Sequence, residues 1–210
     1  MLRVLGSLPV AKTENIFGEL IAKMGAKQLP PSLALDLGEA IDSTKSSSLI
    51  AKMSPLRSNG ETVADYQDAL FGGNAMLGRR YFMTNSAAEC VRCHSIGGQG
   101  GEVGPNLSNI GNVLSREQIL QALVEPSARI SPGFGMVMLT LKDGTSAAGI
   151  LTSENDHELV LKTSEAEPLK IAVSRIAKRD NVPSSMPPMG NIMSKREIRD
   201  VVEFLSGLKK

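Results

Sequence analysis

Cys90-Val91-Arg92-Cys93-His94 constrains this chain more than any other stretch of its 210 residues. Two thiols separated by two residues can each add to one vinyl group of the same porphyrin. The residue that follows then offers an imidazole to the iron from one face. This spacing is the attachment motif of c-type haem. The chain holds no other cysteine, which points to a dedicated use for the pair. The same five residues admit other chemistry. A thioredoxin-like pair should follow a strand and open a helix in a βαβ unit, whereas Ser95-Ile96-Gly97-Gly98-Gln99-Gly100-Gly101 reads as a loop. A structural zinc site usually needs four ligands. Beyond Cys90, Cys93 and His94 only His157 remains, in a polar turn.

The length suggests one to two domains and suffices for a core without disulfide staples. A net charge of +1 points neither to nucleic acid nor to an anionic membrane surface. Aromatic residues are scarce, with two Tyr, five Phe and no Trp, and a buried porphyrin would supply flat apolar area in their place. No stretch approaches the roughly 20 apolar residues of a membrane span. The start, Met1 to Val10, resembles a signal peptide only superficially, because its apolar run is broken by Gly6 and Pro9 and no small-residue cleavage site follows. Haem attachment to such a motif takes place outside the bacterial inner membrane. The expectation is therefore an exported fragment whose signal lies elsewhere, and any membrane association would come from parts outside this chain.

Residues 1–60 read as short helices: one opened by Thr13-Glu14-Asn15, one started by Pro30-Pro31-Ser32, and one from Ser46 to Met53. They suggest a helix pair, a remnant of a solenoid-like repeat. A polar linker at 57–63 contains Ser58-Asn59-Gly60. Then come a short helix over Asp65–Leu70, a helix over Ala75–Phe82 capped by Asn74, and a helix over Arg116–Val124 begun by Ser115. From 133 to 180 the period changes. Val137, Leu139 and Leu141 alternate with other residues, Asp143-Gly144 and Glu154-Asn155-Asp156 make turns, Leu159 and Leu161 alternate again, and Leu169–Val173 gives a fourth strand. This pattern predicts a curled antiparallel sheet or five-stranded barrel, inserted at 134–180. Ser194 then caps a helix from Lys195 to Leu208.

Six-coordinate c-type haem commonly takes Met opposite His. Ten methionines compete, and for any one of them the plain role is core filler. Met186 stands out within Pro183-Ser184-Ser185-Met186-Pro187-Pro188-Met189-Gly190, where a rigid loop can hold a thioether at little entropic cost; Met189 is the second choice, and Met136 and Met138 belong to the sheet. His94 needs a carbonyl for its other ring nitrogen, and Gly104-Pro105-Asn106-Leu107 is the expected source, which makes Pro105 a site residue. Arg129 and Arg175 could pair with haem propionates or simply be solvated.

Pro30 to Leu37, Cys90 to Leu107, Glu125-Pro126-Ser127-Ala128-Arg129-Ile130, Leu139 to Gly144 and Met186 to Leu205 together resemble the C-terminal haem region of the large multidomain c-type cytochromes of planctomycetes and verrucomicrobia. In that family a dehydrogenase-like propeller precedes helical HEAT-type repeats and cytochrome c. The resemblance implies thioethers at Cys90 and Cys93 and axial ligation by His94 and Met186. It departs from ordinary cytochrome c in the long His-to-Met separation. The expected architecture is mainly α: a helical segment at 1–60, a cytochrome c fold built from 61–133 and 181–210, and the β insertion between them. The expected function is single-electron transfer through one covalent haem c, without enzymatic catalysis, in the periplasm or otherwise exported. The redox partners would be a dehydrogenase donor, fused or separate, and a respiratory acceptor. Two alternatives stand beside it: a haem-based catalyst or gas sensor with an open sixth position, and a binding module whose haem is structural.

Overall fold

The computed structural model describes residues 1–57 and 62–209. The expected linker residues Ser58, Asn59 and Gly60 lie outside them. Among the described residues, three apolar clusters stand out, one per structural unit.

The first unit packs α1 (Leu2–Gly6), α2 (Val10–Gly25), α3 (Ala34–Thr44) and α4 (Ser47–Met53) around Phe17, Ile21, Leu37, Ile41, Leu49 and Met53. Helix α2 begins three residues before the expected Thr13. Pro9 sits at its N-cap and Thr13 is buried within it. The break at Pro30-Pro31 is a 3-10 turn over Pro31–Leu33 that leads into α3, as proline in a first turn allows. Ser46 caps α4 by accepting from the Leu49 amide.

The second unit is helical and draws on two separated parts of the chain. A 3-10 turn over Val63–Ala69 replaces the helix expected at Asp65–Leu70. Helices α5 (Ala75–Thr84), α6 (Cys90–Cys93), α7 (Ile110–Val113) and α8 (Arg116–Val124) follow, and α9 (Lys195–Ser206) returns after the insertion. The side chains of Asn74, Ser115 and Ser194 cap α5, α8 and α9. Helix α9 buries Ile198, Val201, Val202 and Leu205 on one face, and Phe204 meets Phe82 of α5 in a tilted ring pair at 6.0 Å. The α5–α9 crossing is close because Gly78 lies against the Asp200 carbonyl, where a Cβ would clash. Asp200 is itself buried, and its carboxylate accepts from the Asn74 amide at 2.8 Å. The beginning and end of the unit are thereby joined.

The third unit is a five-stranded antiparallel sheet of β3 (Gly135–Leu141), β4 (Ser146–Glu154), β5 (Glu158–Lys162), β6 (Leu169–Ala172) and β7 (Ile176–Asn181), in the order β6-β5-β4-β3-β7. A separate two-stranded hairpin, β1 (Ser95–Ile96) and β2 (Gln99–Gly100), lies within the helical unit. Strands β6 and β7 are consecutive in sequence yet occupy opposite edges. In a flat sheet those edges would lie roughly 19 Å apart, whereas the three-residue 3-10 turn Val173–Arg175 advances only about 6 Å. The sheet must therefore curl almost shut. The turn bridges the gap: the Val173 amide donates to the His157 carbonyl at 2.8 Å, and the Lys142 amide to the Arg175 carbonyl at 2.8 Å. Val137, Leu139, Leu141, Leu159, Leu161 and Ile171 fill the interior. Met136 and Met138 point outward, 47% and 54% exposed.

The first and second units meet through charge. Asp36 of α3 receives Arg196 at 2.7 Å and Arg199 at 2.9 Å, and Glu39 also pairs with Arg196. Burial opposes ionisation of Asp36. The hydrogen bonds from Arg196 and Arg199, with their positive charge, outweigh it and hold the carboxyl below its ordinary value.

Candidate functional site

Glu89 adopts a left-handed conformation with φ 44° and starts the single turn of α6. The Arg92 amide returns to the Glu89 carbonyl at 2.9 Å and the His94 amide to the Cys90 carbonyl at 3.0 Å. One helical turn puts residues three apart on the same side, with Cβ atoms about 5–6 Å from each other. Cys90 and Cys93 therefore present two free thiols side by side, the first half-buried and the second exposed. Burial raises the pKa of the Cys90 thiol, and repulsion from Cys93 adds to the shift.

His94 terminates the turn with an extended backbone, φ −110° and ψ 143°. Its Nδ1 lies 2.9 Å from the Pro105 carbonyl oxygen. A carbonyl can only accept, so Nδ1 carries the proton and Nε2 keeps its lone pair. The segment that supplies this carbonyl is held by backbone bonds: Gly104 N–H to Cys93 O at 2.8 Å, and Leu107 N–H to Ser95 O at 2.9 Å. Gly104 lies directly under the imidazole. A Cβ there would stand 2.6 Å from Cε1 and 2.8 Å from Nδ1, closer than atoms can pack. The sequence points to residues 104–107 for their carbonyls; that position 104 must lack a side chain is visible only in the contact with His94. The run expected to be a loop after His94 is the small β1–β2 hairpin, turned by Gly97 and Gly98, both with positive φ.

Met186 is half-buried and packs against the same apolar cluster as Cys90, Val91 and Ile96. The fold thus brings the Cys-x-x-Cys-His segment and the Pro-rich loop, far apart in sequence, onto one core. Met189 is 2% exposed, a member of that core at the start of the 3-10 turn Met189–Asn191. Arg175 lies in the β unit and pairs with Asp143 at 2.9 Å. Arg129 is exposed. His157 is exposed in the β4–β5 turn, where its amide donates to Asn155. Among the described residues, no group of three or more His, Cys, Asp and Glu side chains converges as a metal cage.

These residues fit a covalently held porphyrin: two adjacent reduced thiols, and an imidazole whose outer nitrogen is fixed by a carbonyl so that the other can bind iron. Residues 75–160 match the family model described as Cytochrome c. This match spans Cys90 to His94 and Pro105 and stops before Met186. It identifies a cytochrome c region, whose cofactor is covalently attached haem c. No curated protein matches the chain. Among the described residues, no helix is long and apolar enough to cross a membrane.

Proposed function

We propose that this chain carries single electrons through one haem bonded to Cys90 and Cys93, with His94 and Met186 as axial ligands. The observation that carries the reading is the His94 Nδ1 contact with the Pro105 carbonyl, seated over Gly104. It fixes one tautomer and one ring orientation, as an axial ligand requires. The placement of Met186 on the same core supports the second ligand, and the burial of Met189 favours Met186 over its neighbour. A thioether opposite an imidazole raises the reduction potential relative to two imidazoles. The iron chemistry belongs to the cofactor; the chain sets its potential, its access and its docking.

The reading extends to context. The haem unit receives electrons from a dehydrogenase, separate or fused, and passes them to a respiratory acceptor in the periplasm or another exported compartment. Its family is the multidomain haem protein type named above, with residues 1–60 as a remnant of its helical repeats. Absorption spectra of protein matured in an exporting host test the core of this reading. Low-spin iron in both oxidation states, a thioether-to-iron band in the ferric form and no carbon monoxide binding in the ferrous form are expected. Ready carbon monoxide binding by the ferrous protein would overturn electron carriage in favour of a catalyst or gas sensor with an open position.

A further inference from the structure

We propose that the β insertion is the positioning element of the Met186 loop, acting through the β3–β7 pairing and through Ser127; this rests on Met186 being the iron ligand. The first and last strands of the insertion are neighbours in the sheet, with Val137 opposite Asn181. The pairing continues outward to the base, where the Val182 amide donates to the Met136 carbonyl at 3.0 Å. On the entry side, the Gly133 amide donates to the Leu151 carbonyl at 2.8 Å. Entry and exit are thus zipped together. Without that zipper, the chain from α8 to Met186 would be a long flexible tether, and closing it onto the core would cost loop entropy. With it, the loop starts from a fixed point only four residues before Met186, a reach of at most about 14 Å.

The loop is also tied sideways. The Ser184 amide donates to Ser127 Oγ at 3.1 Å, and the Met186 amide donates to Ser184 Oγ at 3.2 Å. Ser127 belongs to the segment between α8 and the insertion, so the chain of bonds runs from that segment to the Met186 backbone. At the far end, Met189 is anchored in the core and Gly190 lies against the Tyr66 hydroxyl. Anything that binds the β unit and shifts β3 against β7 therefore acts on the axial ligand.

Carbon monoxide affinity of the ferrous holoprotein reads the fraction of molecules in which the thioether has left the iron, because only those accept the gas. Met186→Ala is measured first and must open the site; if it does not, the ligand assignment fails and the positioning role falls with it. Given an open Met186→Ala, Ser127→Ala and Ser184→Ala should each raise carbon monoxide affinity about fivefold, the worth of one hydrogen bond. Ser127→Thr, which keeps the hydroxyl, should restore the wild-type value. Excision of residues 134–179 with a short Gly/Ser bridge should leave haem bound through Cys90 and Cys93 while raising the affinity on the order of tenfold or more. Faster hydrogen exchange at the Ser184 and Met186 amides in Ser127→Ala is the readout independent of iron. Wild-type affinity in both serine variants, with Met186→Ala open, would overturn the positioning role and leave the ligand standing.

Discussion

Gly104→Ala isolates what the contact between His94 and Pro105 contributes. The new methyl carbon would sit 2.6 Å from Cε1 and 3.1 Å from Nε2 of His94. Carbon atoms pack at about 3.5–4.0 Å, so the ring or the Gly104–Pro105 segment must move by roughly 1 Å. The Gly104 amide bond to the Cys93 carbonyl at 2.8 Å, and the thioether proposed at Cys93, limit how the strain can be shared. A displacement of that size stretches the 2.9 Å Nδ1–Pro105 contact to about 3.6 Å or more, where it no longer counts as a hydrogen bond. The lost bond is worth about 1 kcal/mol net. In the proposed axial role of His94, that bond would make the imidazole a more basic ligand, which favours ferric iron. Losing it should raise the potential by up to roughly 40 mV, taking a fivefold change at 59 mV per tenfold for one electron. A spectroscopically monitored redox titration of Gly104→Ala against the wild type measures this. An unchanged or lowered potential, with the haem still six-coordinate, would refute the claim that the Pro105 carbonyl tunes the iron through His94.

Cys90→Ala together with Cys93→Ala should leave no haem stain on the protein band after denaturing electrophoresis, while the wild type retains it. Met186→Ala should give high-spin spectra, whereas Met189→Ala, at a buried core position, should lower the unfolding free energy by the roughly 2–5 kcal/mol of a large-to-small core change with the spectrum nearly unchanged. Asp36 has its folded-state pKa held below the ordinary 3.8, so its contribution to stability is fully present above that value and is lost as pH falls through the folded-state pKa. Unfolding midpoints measured down an acid series should therefore fall less steeply for Asp36→Asn than for the wild type below about pH 4.

The caps were legible in the sequence because their signal is local. Asn74, Ser115 and Ser194 each stand just before an apolar helical period, and each caps the helix expected of it. The insertion was legible through alternation and turn residues as far as the strand that begins at Leu169. Strand β7 was not, since Ile176-Ala177-Lys178-Arg179-Asp180-Asn181 shows no apolar alternation. Only Ile176 reaches the interior, and the strand exists because β3 lends it partners. The pairing of Arg175 with Asp143 was hidden for a similar reason: the two are remote in sequence and meet only once the sheet has curled. At the site, the cysteine pair, the imidazole and the carbonyl segment were legible, because each is a requirement of one small motif. The glycine beneath the ring and the tie from Ser127 to Ser184 were not, because they answer to contacts between segments.

Helix α9 shows how the parts depend on one another. One of its faces closes the haem unit through Ile198, Val201, Val202 and Leu205. The same helix carries Arg196 and Arg199 to Asp36. Arg199 is 4% exposed, and the Nε atoms of both arginines are buried without partners. A guanidinium taken from water at such a cost needs its carboxylate, so the pairing with α3 selects one docked arrangement over others with comparable apolar contact. The other end of the haem unit is tied differently, by the zipped base of the β unit and the loop that bears Met186. Helical unit and β unit thus attach to separate parts of the haem unit, one through buried charge at α9 and the other through backbone pairing beside the thioether. A disturbance of the first should alter stability while leaving the iron's spectrum intact; a disturbance of the second should alter the spectrum before it alters stability.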